Sequence, residues 1–307
     1  SYGHLVLATG ARNRKIRIPG LAHPDVMELR TLAHAHRLME RLPALRTVAV
    51  IGGGFIGLEV ASLLRDHDVE VDIIEAADRL MGRVVSHITS DYFLRYPRET
   101  GVRIRLGASA ESVEHGPSGC RVVLADGTAL EADAVLLAAG VVPNVELAAD
   151  AGLAVNNGIL VDAELLTSDP AISALGDCAA YPSVHAGCVL RLESVQNAVD
   201  HGRLIAARLT GDRKPYESLP WFWSYQGQAR LQIAGLSAPG DNPVLRGDPE
   251  TGKFSVFLFR EGRNTAVESI NDPGTHMAAR RLLGSGIAVS PDVAADPAVD
   301  LKSLLKR

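Results

Sequence analysis

Short apolar runs and amphipathic stretches alternate along the first half of the chain. Residues 4–8, with Leu5-Val6-Leu7-Ala8 at their centre, make an apolar run of strand length that stops at Thr9-Gly10. Residues 31–42 have helical character and end at Pro43. Residues 46–51 (Arg-Thr-Val-Ala-Val-Ile) predict a second buried strand, followed by a glycine turn and an apolar helix to about His67. Residues 69–75 alternate apolar and acidic positions and predict a third strand. Short β-branched runs follow at 102–105 and 121–124, and the turn Ala125-Asp126-Gly127-Thr128 makes the second of them one arm of a hairpin. Residues 134–138 predict another buried strand, stopped by Gly140 and Pro143. Strands and helices alternating in this way predict a parallel, doubly wound sheet.

The second half begins with short strands at 159–162 and 172–175 and a helix from about Glu193 to Leu209, closed by Thr210-Gly211. The character changes after Pro215. Both tryptophans fall in Trp221-Phe222-Trp223, strands at 229–234, 254–260 and 265–270 follow at hairpin spacing, and a helix is expected near 275–284. This reads as a separate α+β domain of roughly ninety residues, an ordinary domain size.

The strongest motif lies in Val48-Ala49-Val50-Ile51-Gly52-Gly53-Gly54-Phe55-Ile56-Gly57. Its GxGxxG glycines are Gly52, Gly54 and Gly57, set between a buried strand and an apolar helix, the context that makes the motif specific. Gly52 permits the tight turn, Gly54 lets a pyrophosphate approach the backbone, and Gly57 lets helix and strand pack closely. The backbone of Phe55 and Ile56 opens the helix, whose free N–H groups and positive dipole end suit phosphate. Glu75, at the end of the next strand, stands where an acidic residue takes the ribose hydroxyls of a dinucleotide. A 2′-phosphate there would face a like charge, so NADH is expected over NADPH, with Arg79 the nearest complication.

Composition narrows the function. At 307 residues, 47% apolar and 22% charged, the chain suits a globular protein of two or three domains. Its net charge of −5 argues against nucleic acid. No apolar run reaches the length of a membrane span, and Ser1-Tyr2-Gly3-His4 does not begin a signal peptide. Cys120, Cys178 and Cys188, odd in number and widely spaced, fit a reducing cytoplasm and supply no redox-active pair. No metal site is expected: His34 and His36 fall on different helix faces.

Two further pieces turn a nucleotide binder into a flavoprotein. One is Leu7-Ala8-Thr9-Gly10-Ala11 with its counterpart Leu137-Ala138-Ala139-Gly140; the other is Gly176-Asp177-Cys178-Ala179. An Asp placed after a strand and glycine, before a helix, can accept hydrogen bonds from a polyol while the helix start meets a phosphate. Together and in this order they resemble the two-dinucleotide-domain flavoprotein reductases. More narrowly the chain resembles the ferredoxin reductases of bacterial oxygenase systems, of the putidaredoxin reductase and biphenyl dioxygenase reductase type. The resemblance runs from Tyr2 to Lys302 and is tightest at Gly52–Ala61, Thr167–Pro170, Gly176–Ala179, Glu193–Asn197 and Pro220–Ser224.

That resemblance implies an α/β fold of two doubly wound dinucleotide-binding domains, the first incomplete and the second inserted in it, plus a C-terminal α+β domain. Residues 1–35 with 146–212 would bind FAD, residues 36–145 would bind NAD, and residues 213–307 would form the C-terminal reductase domain. It implies that Thr9, Gly10, Gly140 and Gly176 shape the flavin cleft, that Asp177 holds the ribitol, that Arg30 contacts FAD and that Val195 lies against the isoalloxazine ring. Glu59 would sit where nicotinamide meets flavin, and Trp223 at the flavin edge facing the redox partner. The partner would be a [2Fe–2S] ferredoxin, with Arg203 and Lys302 among its contacts.

Three departures from the family pattern carry expectations of their own. Tyr225 stands where the family has Asp. Pro97 is expected to interrupt the helix before Gly101. The family's first GxGxxG turn, for the ADP part of FAD, and its lysine partner for Glu59 have no counterpart in residues 1–307, so this stretch alone is expected to hold FAD weakly. The rival readings are a disulfide reductase of the same superfold, which needs a cysteine pair at redox spacing, and a catalytically incompetent NAD-binding remnant.

Overall fold

The computed structural model describes residues 1–117 and 119–306. Its central sheet has five parallel strands in the order Met27–Glu28, Ala134–Leu137, Thr47–Ile51, Glu70–Glu75, Arg103–Leu106. Every residue of Val48–Ile51 and Ala134–Leu137 is buried, as befits strands covered on both faces. On one face, helices Phe55–Asp66 and His87–Glu99 pack Leu58, Leu64 and Phe93 against Val48, Val50 and Ile73. On the other, Ala49, Ile74 and Val135 meet an antiparallel three-stranded sheet of Ala110–Gly116, Gly119–Leu124 and Ala129–Ala132. The expected hairpin at 121–124 is therefore the middle of a meander.

Met27 and Glu28, grouped with the first unit in the sequence reading, hydrogen-bond beside Leu136 and Leu137 at the edge of this central sheet. The preceding turn leans the same way: Val113 N–H donates to Pro19 O (2.8 Å). Pro97 does not interrupt its helix, which continues to Glu99. The proline falls in the last turn, where its missing N–H removes one hydrogen bond and little helix remains to distort. Its carbonyl then accepts from Thr100 N (3.2 Å) and Val102 N (2.9 Å).

The first unit is built from both sides of the insertion. Leu5–Leu7 runs parallel to Ile172–Ala174, pairing Leu5 with Ile172 and Leu7 with Ala174. Ala11–Asn13 and Val141–Pro143 pair antiparallel. Thr9 Oγ1 donates to Asn144 O (2.6 Å) and Asn144 Nδ2 donates back to Thr9 O (2.8 Å), clasping the two crossings between units. Leu7, Ile159, Ile172, Tyr181 and Ile205 form this unit's own core under helix Val195–Leu209.

The C-terminal unit is an antiparallel sheet ordered Trp221–Gln226, Ala229–Gly235, Arg263–Ile270, Lys253–Arg260, Asn242–Asp248. One face, with Leu231, Ile233, Phe254 and Val256, merges into the core around helices Phe55–Asp66 and His87–Glu99. The other, with Phe257, Phe259 and Val267, carries helix Pro273–Gly284. Strand alternation thus gives Trp221–Gln226 two audiences: Phe222, Ser224 and Gln226 look toward the glycine-turn helix, and Trp221, Trp223 and Tyr225 look away.

Candidate active site

The glycines of the turn have separate, measurable necessities. Gly52 has φ +114°, and a Cβ there would lie 2.4 Å from Ala138 O. A Cβ on Gly57 would lie 2.1 Å from Gly52 O, so helix and strand touch only because it is absent. A Cβ on Gly54 would meet nothing within 4 Å, so the space above it is open. Gly54 caps helix Phe55–Asp66 without any side-chain hydrogen bond, leaving the first N–H groups for a ligand. Phe55 packs edge-on to Phe222 at 5.3 Å, and Ile56 is partly exposed. Open backbone donors over a helix start fit the pyrophosphate of a dinucleotide.

Glu75 is held at the rim of this cradle. Its Oε2 accepts from Gly53 N (2.6 Å) and its Oε1 from Ala77 N (2.7 Å). Arg79 is turned aside: Nη1 donates to Val85 O (2.8 Å) and Nη2 to Gly82 O. The carboxylate is therefore the charged group fixed at the rim of the glycine turn.

The residues expected on the flavin side converge from three places in the sequence. Arg30 Nη2 donates to Asp177 Oδ2 (2.8 Å), while its Nε donates to Ala11 O (2.9 Å). Gly10 (φ +65°) sits beneath the Arg30 guanidinium, and Gly140 (φ +84°) faces Arg83. Gly176 (φ +69°) packs on Ala198, so the Gly176–Asp177 turn abuts the first turn of helix Val195–Leu209. Ser194 caps that helix by accepting from Asn197 N, and Val195 directly after it is 66% exposed. An ion pair beside an exposed apolar helix start suits a flavin, which has a polar tail and a flat apolar ring.

Gly176 N–H also donates to Nδ1 of His201 (3.2 Å), which is fully buried against Tyr181 and Tyr216. Burial pushes this imidazole down to about 4 from 6.5. The unfolded chain then takes up the proton first as pH falls. Stability from neutral His201 is complete above pH 6.5 and disappears toward pH 4, about 3 kcal/mol in all. The melting temperature is expected to fall across that window in thermal unfolding, and the His201→Asn variant, which keeps an acceptor for Gly176, should fall less. An equal acid decline in both would exclude His201 as the cause.

The third cluster joins the units. Ser224 Oγ donates to Glu59 Oε1 (2.6 Å), tying the glycine-turn helix to the C-terminal sheet. Sequence reasoning placed Glu59 but missed Ser224, which only strand alternation could have flagged. On the outward face Trp223 is 38% exposed and lies 5.4 Å from Trp221. The Arg280 guanidinium stacks 4.0 Å over the Trp221 ring, a contact with no signal in the sequence. Arg203, highly exposed, pairs with Asp200 at 3.5 Å. Tyr225 is exposed across the sheet from Arg230, whose guanidinium lies 5.7 Å from its ring. Lys302 is exposed on the 301–306 turn, which packs on the helix that carries Arg280.

Comparison with known proteins gives a consistent result. The pyridine nucleotide-disulphide oxidoreductase model matches residues 1–202, and the reductase C-terminal model matches residues 221–305. Rhodocoxin reductase of Rhodococcus erythropolis is 47% identical over 307 residues, covering 100% of this chain and 72% of that protein. Putidaredoxin reductase of Pseudomonas putida is 37% identical, over 99% and 74%. The solved ferredoxin reductase for the CYP199A2 system of Rhodopseudomonas palustris superposes with a TM-score of 0.96 at 48% identity, over 98% of this chain and 75% of that one. The reductase in the covalent putidaredoxin reductase–putidaredoxin complex superposes at 0.95 with 36% identity, over 99% and 75%. The chain belongs to the pyridine nucleotide-disulphide oxidoreductase family, in the branch that carries the reductase C-terminal domain.

Proposed function

We propose that this chain is the NADH-dependent flavoprotein reductase of an oxygenase system, delivering electrons by way of FAD to a [2Fe–2S] ferredoxin. The observation that carries the proposal is the strand Trp221–Gln226. Through Phe222 and Ser224 it grips the helix of the glycine turn, and on its other face it presents a part-exposed Trp223 beside Trp221 with its stacked Arg280. The relatives are named as reductases of rhodocoxin and putidaredoxin, and a putidaredoxin complex is among the solved structures.

FAD, when bound, accepts hydride as two electrons and releases them singly. The protein's part is position. Gly52, Gly54 and Gly57, with the N–H groups of Phe55 and Ile56, seat the NADH pyrophosphate, and Glu75 takes the ribose. Arg30 and Asp177 hold the flavin's polar tail, Thr9, Gly10, Gly140 and Gly176 shape the cleft around it, and Val195 keeps water from one side of the ring. Glu59, oriented by Ser224, stands at the meeting of nicotinamide and flavin. We assign residues 1–35 with 146–212 to FAD, 36–145 to NAD and 213–307 to the reductase domain, with the linker strand Met27–Glu28 leaning on the NAD unit. We place the work in the cytoplasm, where NADH is available; among the described residues no helix is long and apolar enough to cross a membrane.

The ferredoxin docks on the Trp223 side. Ferredoxins are acidic, and a chain of net charge −5 needs a local basic patch to receive one. Arg280, stacked on Trp221, and Arg203, on helix Val195–Leu209, supply it, with Lys302 on the turn that packs against the Arg280 helix. In the FAD-loaded protein, Arg203→Glu is expected to slow NADH-driven ferredoxin reduction about tenfold at low salt while NADH-to-dye turnover stays unchanged. Rates falling together would make Arg203 a structural residue and move the docking face elsewhere.

A further inference from the structure

The loop 76–86 leaves the strand that ends at Glu75 and folds back over the glycine turn. Met81 N–H donates to Gly53 O (3.1 Å). Leu80, fully buried, closes on Gly53 so tightly that a Cβ there would lie 2.5 Å from Leu80 Cδ2. Met81 adopts φ +50°, a left-handed conformation costing a non-glycine residue about 1–2 kcal/mol. Something outside the loop must hold it there.

What holds it comes from the C-terminal domain, at three successive points. Gln226 Nε2 donates to Met81 Sδ (3.7 Å). Ser237 Oγ donates to Val84 O (2.8 Å). Glu268, with no exposed surface, accepts from Ser86 N (2.7 Å) on Oε1 and from Ser86 Oγ (2.6 Å) on Oε2. Ser86 is itself the N-cap of helix His87–Glu99, accepting from Thr89 N. A buried carboxylate is costly to retain for packing alone, since a methionine would fill the space without desolvating a charge. Burial pushes the Glu268 carboxyl up, opposed by the hydrogen bonds from Ser86 and by nearby Arg79. Aimed at a helix start, it suits a bolt that fixes where the loop ends.

We propose that Glu268 is the positioning residue of the pyridine-nucleotide site: it bolts Ser86 to the C-terminal sheet and so holds the loop 76–86 against Gly53 and Glu75. The C-terminal domain then does more than face the redox partner. It sets the affinity for NADH through backbone it does not share with the ligand.

The inference rests on the assignment of the Gly52–Gly57 turn to NADH. The test is steady-state kinetics of the FAD-loaded protein with a dye acceptor, alongside flavin content and melting temperature. Glu268→Met fills the volume and accepts no hydrogen bond. KM for NADH is expected to rise about tenfold, the loss of one charge-assisted contact, with kcat at saturating NADH within about twofold and flavin content unchanged. An unchanged KM overturns the proposal, as does a fall in kcat and flavin content with KM unmoved, which is the mark of a merely structural residue. Should Glu268→Met not fold, Ser237→Ala is decisive instead: a KM rise of about threefold is expected, and none overturns the proposal. Glu75→Ala separates the two levels. If it raises KM while Glu268→Met does not, only the bolt fails. If neither raises KM, NADH does not use the glycine turn.

Discussion

FAD is expected to bind the Asp177→Ala protein far more weakly than the unsubstituted protein. The carboxylate is the point where the flavin cleft is tied together: it holds the Arg30 guanidinium, which in turn bonds Ala11 O. It lies in a turn that holds Gly176 at φ +69°, a conformation glycine adopts without strain. Removing it deletes the Arg30 bond and the acceptor proposed for the ribitol, and takes the carboxylate from the guanidinium. Two charge-assisted hydrogen bonds at about 1.5–3 kcal/mol each amount to roughly two to four decades in affinity. Asp177→Asn keeps the shape and one acceptor and should lose less. The measurement is FAD titration of the variant and the unsubstituted protein side by side, with the melting temperature taken beside it. Equal affinity in the two would remove Asp177 from the flavin site and leave its pairing with Arg30 as architecture.

NADH should exceed NADPH in kcat/KM by about a hundredfold or more. The argument is geometric before it is electrostatic. Both oxygens of Glu75 are engaged, by Gly53 N and Ala77 N, so the carboxylate cannot swing away from an arriving phosphate. The basic residue nearest in sequence, Arg79, is committed to the carbonyls of Gly82 and Val85. A 2′-phosphate brings about 1.5–2 negative charges, and one unit charge at about 4 Å and an effective dielectric of about 20 already costs about 4 kcal/mol. Glu75→Ala should lift the repulsion and narrow the ratio at least tenfold, mostly through KM for NADPH. Comparable kcat/KM values for the two cofactors in the unsubstituted protein would mean that Arg79 or Arg83 turns toward the phosphate.

The parts of this site that were legible in the sequence are those made by local chemistry. Val48–Gly57 announces itself because a buried strand, three glycines and an apolar helix are contiguous, and Glu75 follows from where the next strand ends. The C-terminal hairpins were legible because their strands alternate. The small pairings were not. Ala11–Asn13 and Val141–Pro143 have neither alternation nor β-branched density throughout, and each is a strand only because the other arrives from far along the chain. Met27–Glu28 is too short to signal anything alone. Pro97 looked like a break because propensity weighs a proline without regard to how few residues of helix remain after it. Ser224 and Arg280 went unread for another reason: their meaning lies in which element they face, and that is decided by tertiary packing.

The clasp of Thr9 on Asn144 bears on how the chain assembles as it is made. Leu5–Leu7 emerges from the ribosome long before Ile172–Ala174, by about 8–33 s at common elongation rates. In that interval the inserted unit, whose five strands all lie between residues 27 and 137, can complete its own sheet. Once it does, its two ends stand side by side at residues 9–13 and 141–144. The closure left to make is then no longer a loop of more than a hundred flexible residues. It is a short span from Asn144 to Ile172, with correspondingly less chain entropy to overcome. An interrupted domain of this kind closes with the least entropic cost once its guest has folded, and the two hydrogen bonds at Thr9 and Asn144 are where the guest hands the strands of its host to one another.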